Sequence, residues 1–285
     1  VTPASRVFPG LAMENFLIVL GVWVAGHALR TFNVRWVRKL GALLYLGATY
    51  LAGYLLADGS HVAGGIAVAG WFLLPWLEII LRVRSMRLPL NKTLSNRFPP
   101  SRDEFPHLRE LTGEVEEAGF EMIEDTGWDG GEVRQFLRLF YMPAKRVQAA
   151  LSLNQQRGGA IVYFSLTTRA ADGRMWTTTD YPFSNTMKQP PGVEVQRVPW
   201  AGSITTLLDA HTAWVEKHGM NLPEDAVDVD STTLTERLSG ELQHQIRHNL
   251  STGIITESGE GTFRYSWRGC FYLWRQFIKD MVKLA

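Results

Sequence analysis

The chain has 285 residues, a net charge of +1 and 46% hydrophobic residues. This balance is typical of a globular protein, so bulk charge favours neither nucleic-acid binding nor disorder. The single cysteine, Cys270, excludes an internal disulfide and indicates a reducing compartment.

Three apolar stretches occupy the first third of the chain, at about 11–29, 40–57 and 62–83. Each approaches the ~20 residues that a helix needs to cross a hydrocarbon layer of ~30 Å. We therefore predict that residues 1–84 form an anchor of three transmembrane helices. Glu14 and Asn15 interrupt the first stretch, so it either spans the bilayer or lies partly in the interface.

The start of the chain allows two interpretations. Val1 indicates either trimming or a non-ATG start codon that was translated literally, and Met13 is an alternative beginning. A cleaved signal peptide is disfavoured, because Arg6 is the only basic residue before the apolar run and no convincing small-x-small cleavage site follows.

Basic residues predict the orientation of the anchor. They lie between the first and second stretches and after the third, whereas the turn Asp58–His61 has no Lys or Arg. By the positive-inside rule both clusters face the cytoplasm, which predicts a cytoplasmic C-terminal region on a bacterial-type inner membrane. The basic residues concerned are Arg30, Arg35, Arg38, Lys39, Arg82, Arg84, Arg87, Lys92 and Arg97.

Small residues recur in the second and third stretches at spacings near four, which places them on shared helix faces where backbones can approach closely. We predict helix packing at Gly47, Gly53, Gly65 and Gly70. These faces either pack only against each other in a tight hairpin or dock onto integral-membrane protein partners. Pro75 is expected to kink the third helix.

His27 is the residue of the anchor that has ligand chemistry. A neutral imidazole between small neighbours can bind a haem iron or a chlorin magnesium, so His27 is a candidate cofactor ligand. It lies one turn from Arg30, however, where it can reach headgroups or water, and a single histidine lacks a partner for bis-histidine ligation. The favoured expectation is therefore that no cofactor is bound.

The rest of the chain predicts an α+β fold. Residues 85–102 are rich in proline and turn formers, which indicates a juxtamembrane linker. Residues 103–285 are expected to form one cytoplasmic domain, in which an antiparallel sheet covered on one side has flanking helices. Strands are predicted at 120–126, 133–142, 146–154, 160–168, 174–180 and 193–198, with a later hairpin around residues 258–261.

Helices are predicted before and after these strands. The first is capped by Ser101 or Asp103 and ends at Gly119, and another is capped by Ser203 and ends at Gly219. Two more are predicted at about 233–250 and 268–284.

The motif HQIRH supplies the best metal candidate. His244 and His248 lie four residues apart on one helix face, and Glu241 is a possible third ligand. The residue at the position of a metalloprotease base is Gln245, which cannot take a proton. Because the two histidines flank the apolar stripe of the helix, solvated polar residues are the favoured interpretation.

The terminal helix is basic and amphipathic. Its aromatic stripe and cationic face suit the headgroup region of an anionic leaflet, and the alternative is an ordinary core-packing helix of the domain. The residues predicted to meet the membrane surface are Arg268, Trp274, Arg275, Phe277, Lys279 and Lys283.

Two functions are compatible with these patterns. The preferred one is a non-catalytic accessory or scaffold subunit of a larger integral-membrane complex, with the lipid bilayer and other membrane proteins as partners and no nucleic acid. The alternative is a membrane-anchored enzyme or ligand-binding sensor. Its site would lie over an open sheet face lined by Phe136, Tyr163, Trp176 and Trp200.

Overall fold

The computed structural model describes residues 9–284, apart from residues 33, 131–132, 157–158, 231–232 and 260. The chain forms two compact units. Unit 1 takes in the chain up to Ser85 together with Cys270–Ala285, and unit 2 is Met86–Gly269. The interpretations that concern Val1 and Arg6 lie outside the described residues.

Helices and strands both contribute to the described part of the chain. The helices are α1 (Pro9–Arg30), α2 (Arg35–Leu56), α3 (His61–Glu78), α4 (Leu108–Glu117), α5 (Ile204–Lys217), α6 (Leu234–Ser251) and α7 (Trp267–Leu284). The strands are β1 (Leu88–Pro89), β2 (Ser95–Asn96), β3 (Glu121–Asp129), β4 (Val133–Met142), β5 (Val147–Gln156), β6 (Gly159–Arg169), β7 (Met175–Thr179), β8 (Val193–Arg197), β9 (Ile255–Glu257) and β10 (Thr262–Tyr265).

The three predicted N-terminal helices are present in unit 1. Two of them are long and apolar enough to cross a membrane: Trp36–Leu56 of α2, and His61–Val83, which is α3 with the turn that follows it. The first apolar stretch forms a helix of 22 residues, and its assignment as a third span stays a prediction.

The kink predicted at Pro75 stays a prediction, and the described helix α3 continues through Pro75 to Glu78 and is followed by a π-helical turn. Proline lacks a backbone N–H, so it cannot donate to the carbonyl four residues before it. The turn begins at Ile79, one helical turn later, and runs to Val83. The Arg84 amide then donates to the Ile79 carbonyl at 2.9 Å, five residues back, instead of four.

Unit 2 is built on a seven-stranded sheet with the order β2-β3-β4-β5-β6-β7-β8. The six strands β3 to β8 begin and end within three residues of their predicted bounds. Neighbouring strands are antiparallel from β2 to β7, as expected, but β8 runs parallel to β7. A separate three-stranded sheet has the order β1-β10-β9 and contains the predicted hairpin.

The prediction that only one face of the large sheet is covered was wrong. On one face Phe140 and Leu151 pack with Leu207 of α5. On the other face Leu139 and Ala150 pack with Leu234 of α6. The physical reason is that Gln148 and Ser152, polar residues of β5 whose alternation indicated a solvent face, are themselves buried, and Gln148 accepts a hydrogen bond from Arg169 at 2.8 Å. Residues 136 to 142 of β4 are likewise buried on both sides of the sheet.

The segment 85–102 is not a free linker. Leu88 and Pro89 pair with β10, Ser95 and Asn96 pair with β3, and Leu94 is buried. Residues next to proline favour extended backbone, and an edge strand tolerates a residue without an N–H. The same prolines that suggested a linker are thus compatible with short edge strands.

Two helices differ from their predicted limits or placement. The first helix of unit 2 starts at Leu108, and Ser101 caps only the turn before it, because Pro106 disfavours helical backbone at Phe105. The terminal helix, which was assigned to the C-terminal domain, belongs to unit 1 from Cys270 onward. The cap at Ser203 is as predicted, since its Oγ accepts the Thr206 amide at 3.2 Å.

Candidate functional site

His27 is engaged by protein side chains. Its Nδ1 lies 3.0 Å from the hydroxyl of Tyr45 on α2. Its ring stacks on Trp23 at a centroid distance of 5.8 Å. The guanidinium of Arg30 lies over the Tyr45 ring, 5.7 Å from its centroid. The imidazole is therefore part of a polar and aromatic contact between α1 and α2.

The HQIRH motif lies on α6, and the structure gives its proposed third ligand another partner. Both carboxylate oxygens of Glu241 accept hydrogen bonds from Arg169, at 2.7 and 3.0 Å. The side chain of His244 is exposed. Within the described residues, no group of three or more His, Cys, Asp or Glu side chains is arranged to hold a metal ion. The structure therefore does not assemble the predicted ligand set.

Among the described residues, only one of the four predicted packing glycines lies where two helices meet. A Cβ atom at Gly53 would lie 2.7 Å from the Ala63 carbonyl, whereas a Cβ atom at Gly47, Gly65 or Gly70 would meet no described atom of another residue within 4 Å. The partner of Gly53 is Gly64, where a Cβ atom would lie 2.8 Å from the Tyr50 ring. The assignment of Gly65 to the hairpin contact is therefore corrected to Gly64.

A second close contact, which the sequence analysis did not single out, joins α1 to α2. A Cβ atom at Gly26 would lie 3.1 Å from the Gly41 carbonyl, and one at Gly41 would lie 2.6 Å from the Gly26 carbonyl. The sequence analysis used the basic residues of the link between these helices to predict orientation. It did not consider the small residues on either side of the link.

The terminal helix α7 crosses α3 within unit 1. The Trp274 indole donates to the backbone carbonyl of Phe72 at 2.7 Å, and its ring meets Trp76 edge to face at 6.1 Å. Phe271 meets the same Trp76 ring at 6.4 Å. The other residues assigned to the membrane surface are exposed: Arg268, Arg275, Phe277, Lys279 and Lys283.

The four aromatic residues proposed to line an open sheet face do not come together. Phe136 is buried in the core that α5 covers, and Trp176 is buried in a separate cluster with Val215. Trp200 is 70% exposed. Tyr163 points to the opposite face of the sheet from Phe136, because it pairs through Ser152 with Leu137.

A polar cluster surrounds Tyr163 on the α6 side of the sheet, and we define it as the Lys92 cluster: Lys92, Gln135, Ser152, Asn154 and Tyr163. The Lys92 ammonium donates to Gln135 Oε1 at 3.3 Å. The Tyr163 hydroxyl is hydrogen-bonded to Gln135, Ser152 and Asn154. The antiparallel register explains this grouping, since Gln135 lies directly opposite Asn154 and Ser152 directly opposite Tyr163.

The charge in this cluster is carried by Lys92. Its ammonium lies over the Trp128 ring, 4.2 Å from the centroid, which is a favourable cation–π distance. Burial lowers the pKa of Lys92 from 10.5 to about 8, because the charged form loses hydration. Among the described residues no carboxylate forms an ion pair with it.

Sequence reasoning missed this cluster for a specific reason. Lys92 was counted as one of the basic residues after the third apolar stretch, inside a segment interpreted as a linker. Nothing local to Lys92 indicates burial, because Gln135 is 43 positions away in the chain. Only the pairing of β2 with β3 brings the segment of Lys92 onto the sheet.

Comparison of the chain with models of protein families, with curated proteins and with solved structures gave no match.

Proposed function

We propose that this chain is a membrane-anchored, non-catalytic accessory subunit of a larger integral-membrane complex. The observation that carries the proposal is the outward surface of α1, α2 and α3, which exposes large apolar side chains although the helices pack on each other. Examples are Leu43, Ile66 and Leu74, at 62%, 67% and 63% exposure. Water-facing helices do not present such continuous apolar surface, whereas lipid-facing helices require it.

The orientation is proposed from charge. Arg38 and Lys39 precede the apolar part of α2, and Arg82 and Arg84 follow that of α3, while the turn Asp58–His61 has no basic residue. The positive-inside rule then places the ends of the hairpin, and with them unit 2, on the cytoplasmic side. This assignment does not depend on α1, because α2 and α3 together return the chain to its starting side.

We propose that α7 lies at the cytoplasmic surface of the bilayer. Thr49 accepts a hydrogen bond from Trp71 at 2.9 Å, and Gly53 packs on Gly64, so the antiparallel register brings Lys39 level with about residues 78–81. Trp76, which contacts α7, lies just inside that level. Interfacial helices combine such aromatic contacts with cations that attract anionic headgroups.

The role in a complex is supported by helix faces that this chain leaves open. Among the described residues, Gly47 on α2 and Gly65 and Gly70 on α3 meet no neighbour within 4 Å, so a second backbone can approach each of them closely. In a bilayer, association of helices depends on such close packing, because lipid tails are as apolar as the helices themselves. Gly65 and Gly70 lie about 140° apart around α3, so we propose that helices of a partner protein occupy separate faces of the chain.

The test of the accessory role is native mass analysis of the complex after extraction in mild detergent. We expect a fixed stoichiometry with a membrane protein partner, which Gly65→Leu and Gly70→Leu abolish without lowering the yield of the chain. The matched control is Gly21→Leu on α1, which also meets no neighbour. Recovery of the same partner with both α3 variants, or a chain purified without any partner, would contradict the proposal.

The placement of α7 is tested with spin labels on the full chain in anionic vesicles. In a Cys270→Ala background, a label at Phe277 should be accessible to oxygen and protected from a water-soluble relaxing agent, because that position faces the acyl chains. A label at Thr205, which is exposed on α5, is the control and should be accessible from water. Equal accessibility of both labels from water would contradict an interfacial α7.

A further inference from the structure

We propose that the Lys92 cluster binds a small oxyanion that keeps a hydroxyl group, such as hydrogen phosphate, on the α6 side of the seven-stranded sheet. The proposal concerns unit 2 alone and does not depend on the accessory role. All members of the cluster, and the Trp128 ring beside it, belong to that unit.

The ammonium charge of Lys92 has no anionic partner among the described residues. An ammonium has three donors, and the described contacts use one of them, toward Gln135 Oε1. A largely buried cation is normally paired with a carboxylate, because desolvation of a lone charge is unfavourable. The Trp128 ring offsets only part of this cost, since a cation–π contact is weaker than an ion pair in the same setting. An anion from solution would supply the missing partner.

The same cluster contains a buried acceptor that lacks a donor among the described residues. Asn154 Oδ1 is buried and has no hydrogen-bond partner among the described residues. The Asn154 Nδ2 donates to the Tyr163 hydroxyl at 3.3 Å, so the amide is held in place. Buried acceptors are rarely left without a donor. An oxyanion that keeps one hydroxyl group, such as hydrogen phosphate, can satisfy both the cation and this acceptor.

Asp180 is a carboxylate whose charge acts on this cluster. Asp180 lies close enough to Tyr163 to raise the pKa of its hydroxyl, although burial of Tyr163 is the larger cause. Asp180 Oδ1 accepts the Phe164 amide at 2.6 Å, and no ion pair joins it to Lys92 in the described structure. Asp180 therefore does not replace the proposed anion.

The proposed site also needs access from solvent and fixed side chains. Lys92 is mostly buried but keeps partial exposure as a residue, and the proposed anion enters from that side. The polar members of the cluster come from β4, β5 and β6, which are central strands of the sheet, and a site held by paired strands is better ordered than one on a loop. The cluster is thus arranged before any ligand binds.

The experiment uses the full chain in mild detergent and two probes, inorganic phosphate and acetate. We expect phosphate to raise the thermal unfolding temperature in a saturable manner, because a ligand that binds only the folded state stabilises it. Acetate has no hydroxyl to donate to Asn154 and should bind at least tenfold more weakly. Comparable binding of both anions would show that Asn154 Oδ1 does not contact the ligand, and it would overturn the proposed preference for an oxyanion with a hydroxyl group.

Three variants separate this site from general ionic effects. Lys92→Met should abolish the response to phosphate, whereas Lys217→Met, which removes an exposed lysine at the end of α5, should leave it unchanged. Gln135→Glu keeps the shape of the cluster and gives Lys92 a carboxylate of its own, so it should fold normally and lose the response. A phosphate response in Gln135→Glu or Lys92→Met equal to that of the original chain would overturn the proposal.

Discussion

His211 shows how a buried histidine can form hydrogen bonds at both ring nitrogens while it stays neutral. Its side chain is fully buried in α5, where Nε2 lies 2.9 Å from the Thr168 hydroxyl and Nδ1 lies 2.9 Å from the Thr178 hydroxyl. A neutral imidazole donates through one nitrogen and accepts through the other, and a hydroxyl can take either role. Burial, with repulsion from Lys145 as a smaller cause, lowers the pKa of His211 from 6.5 to about 4.

This pKa predicts that folding becomes less stable in mild acid. The unfolded chain binds a proton at His211 near pH 6.5, whereas the folded chain resists protonation until about pH 4. The stabilisation is therefore complete above pH 6.5 and is lost as the pH falls toward 4, by about 3 kcal/mol in total. Urea unfolding of the full chain at pH 7 and pH 5 measures this difference.

The control variants for His211 isolate its contribution from that of other groups. His211→Gln cannot titrate and should reduce the dependence of unfolding free energy on pH. His244→Gln removes an exposed histidine and should preserve that dependence. If the two variants show the same pH dependence, another group is responsible.

A second prediction concerns the ion pair between Arg169 and Glu241, whose side chains are 8% and 29% exposed. Arg169→Ala leaves a largely buried carboxylate without its partner and also removes the bond from Arg169 Nη1 to Gln148, 2.8 Å long. We expect a loss of about 3 kcal/mol in unfolding free energy, at the lower end for buried pairs because Glu241 keeps some contact with water.

The exposed pair of Arg174 and Asp172 offers a matched comparison, since both of its side chains are 52% exposed. Arg174→Ala, which also removes the contact of the guanidinium with the Trp176 ring 5.0 Å away, should reduce the unfolding free energy much less than Arg169→Ala does, because an exposed ion pair adds little to stability. Urea titration of both variants in the same detergent gives the two values. A loss for Arg169→Ala as small as that for Arg174→Ala would show that the buried pair adds little to stability.

At the scale of elements, the hairpin of α2 and α3 depends on one glycine of an adjacent pair. Gly64 is buried and faces Tyr50, whereas Gly65 meets no atom within 4 Å. Gly64→Leu should force the helices apart and destabilise the hairpin by about 1–3 kcal/mol, the usual cost of overpacking. Gly65→Leu should leave it intact. Thermal unfolding in detergent compares the stability of the two variants. Equal losses of stability would show that Gly64 does not form the contact with α2.

The same pair shows why spacing alone did not identify the contact. Small residues at intervals of three and four define more than one face of a helix, because 3.6 residues form a turn. Which glycine of α3 faces Gly53 depends on how the two helices are rotated about their axes. In this hairpin the Tyr50 ring lies against Gly64, and the Tyr50 hydroxyl lies 2.6 Å from His61 Nδ1.

For the whole molecule, the proposed orientation predicts which positions a membrane-impermeant thiol reagent can reach. In a Cys270→Ala background, Ser60→Cys in the turn between α2 and α3 should react in intact cells. Ser258→Cys in unit 2 should react only after the cells are opened, because the positive-inside rule places it in the cytoplasm. Reaction of Ser258→Cys in intact cells and protection of Ser60→Cys would reverse the orientation.

The sequence by itself determined the helices α1 to α3, the bounds of the strands β3 to β8 and the cap at Ser203. These features depend on residues that are close along the chain, such as an apolar run, an alternation or a hydroxyl three positions before an amide. Local physics is sufficient for them, because helix hydrogen bonds and strand alternation involve near neighbours. The orientation in the membrane and the protein partners stay predictions.

Tertiary structure alone decided which distant residues meet. Arg169 and Glu241 are 72 positions apart, and Lys92 and Gln135 are 43 positions apart. Their contacts depend on strand order, on register and on the face of the sheet that each helix covers. Because β4 is buried on both faces, its sequence has no polar and apolar alternation from which the register or the covered face could be inferred. Segment 85–102 changed from an expected linker to two edge strands for the same reason, since pairing is a property of both strands.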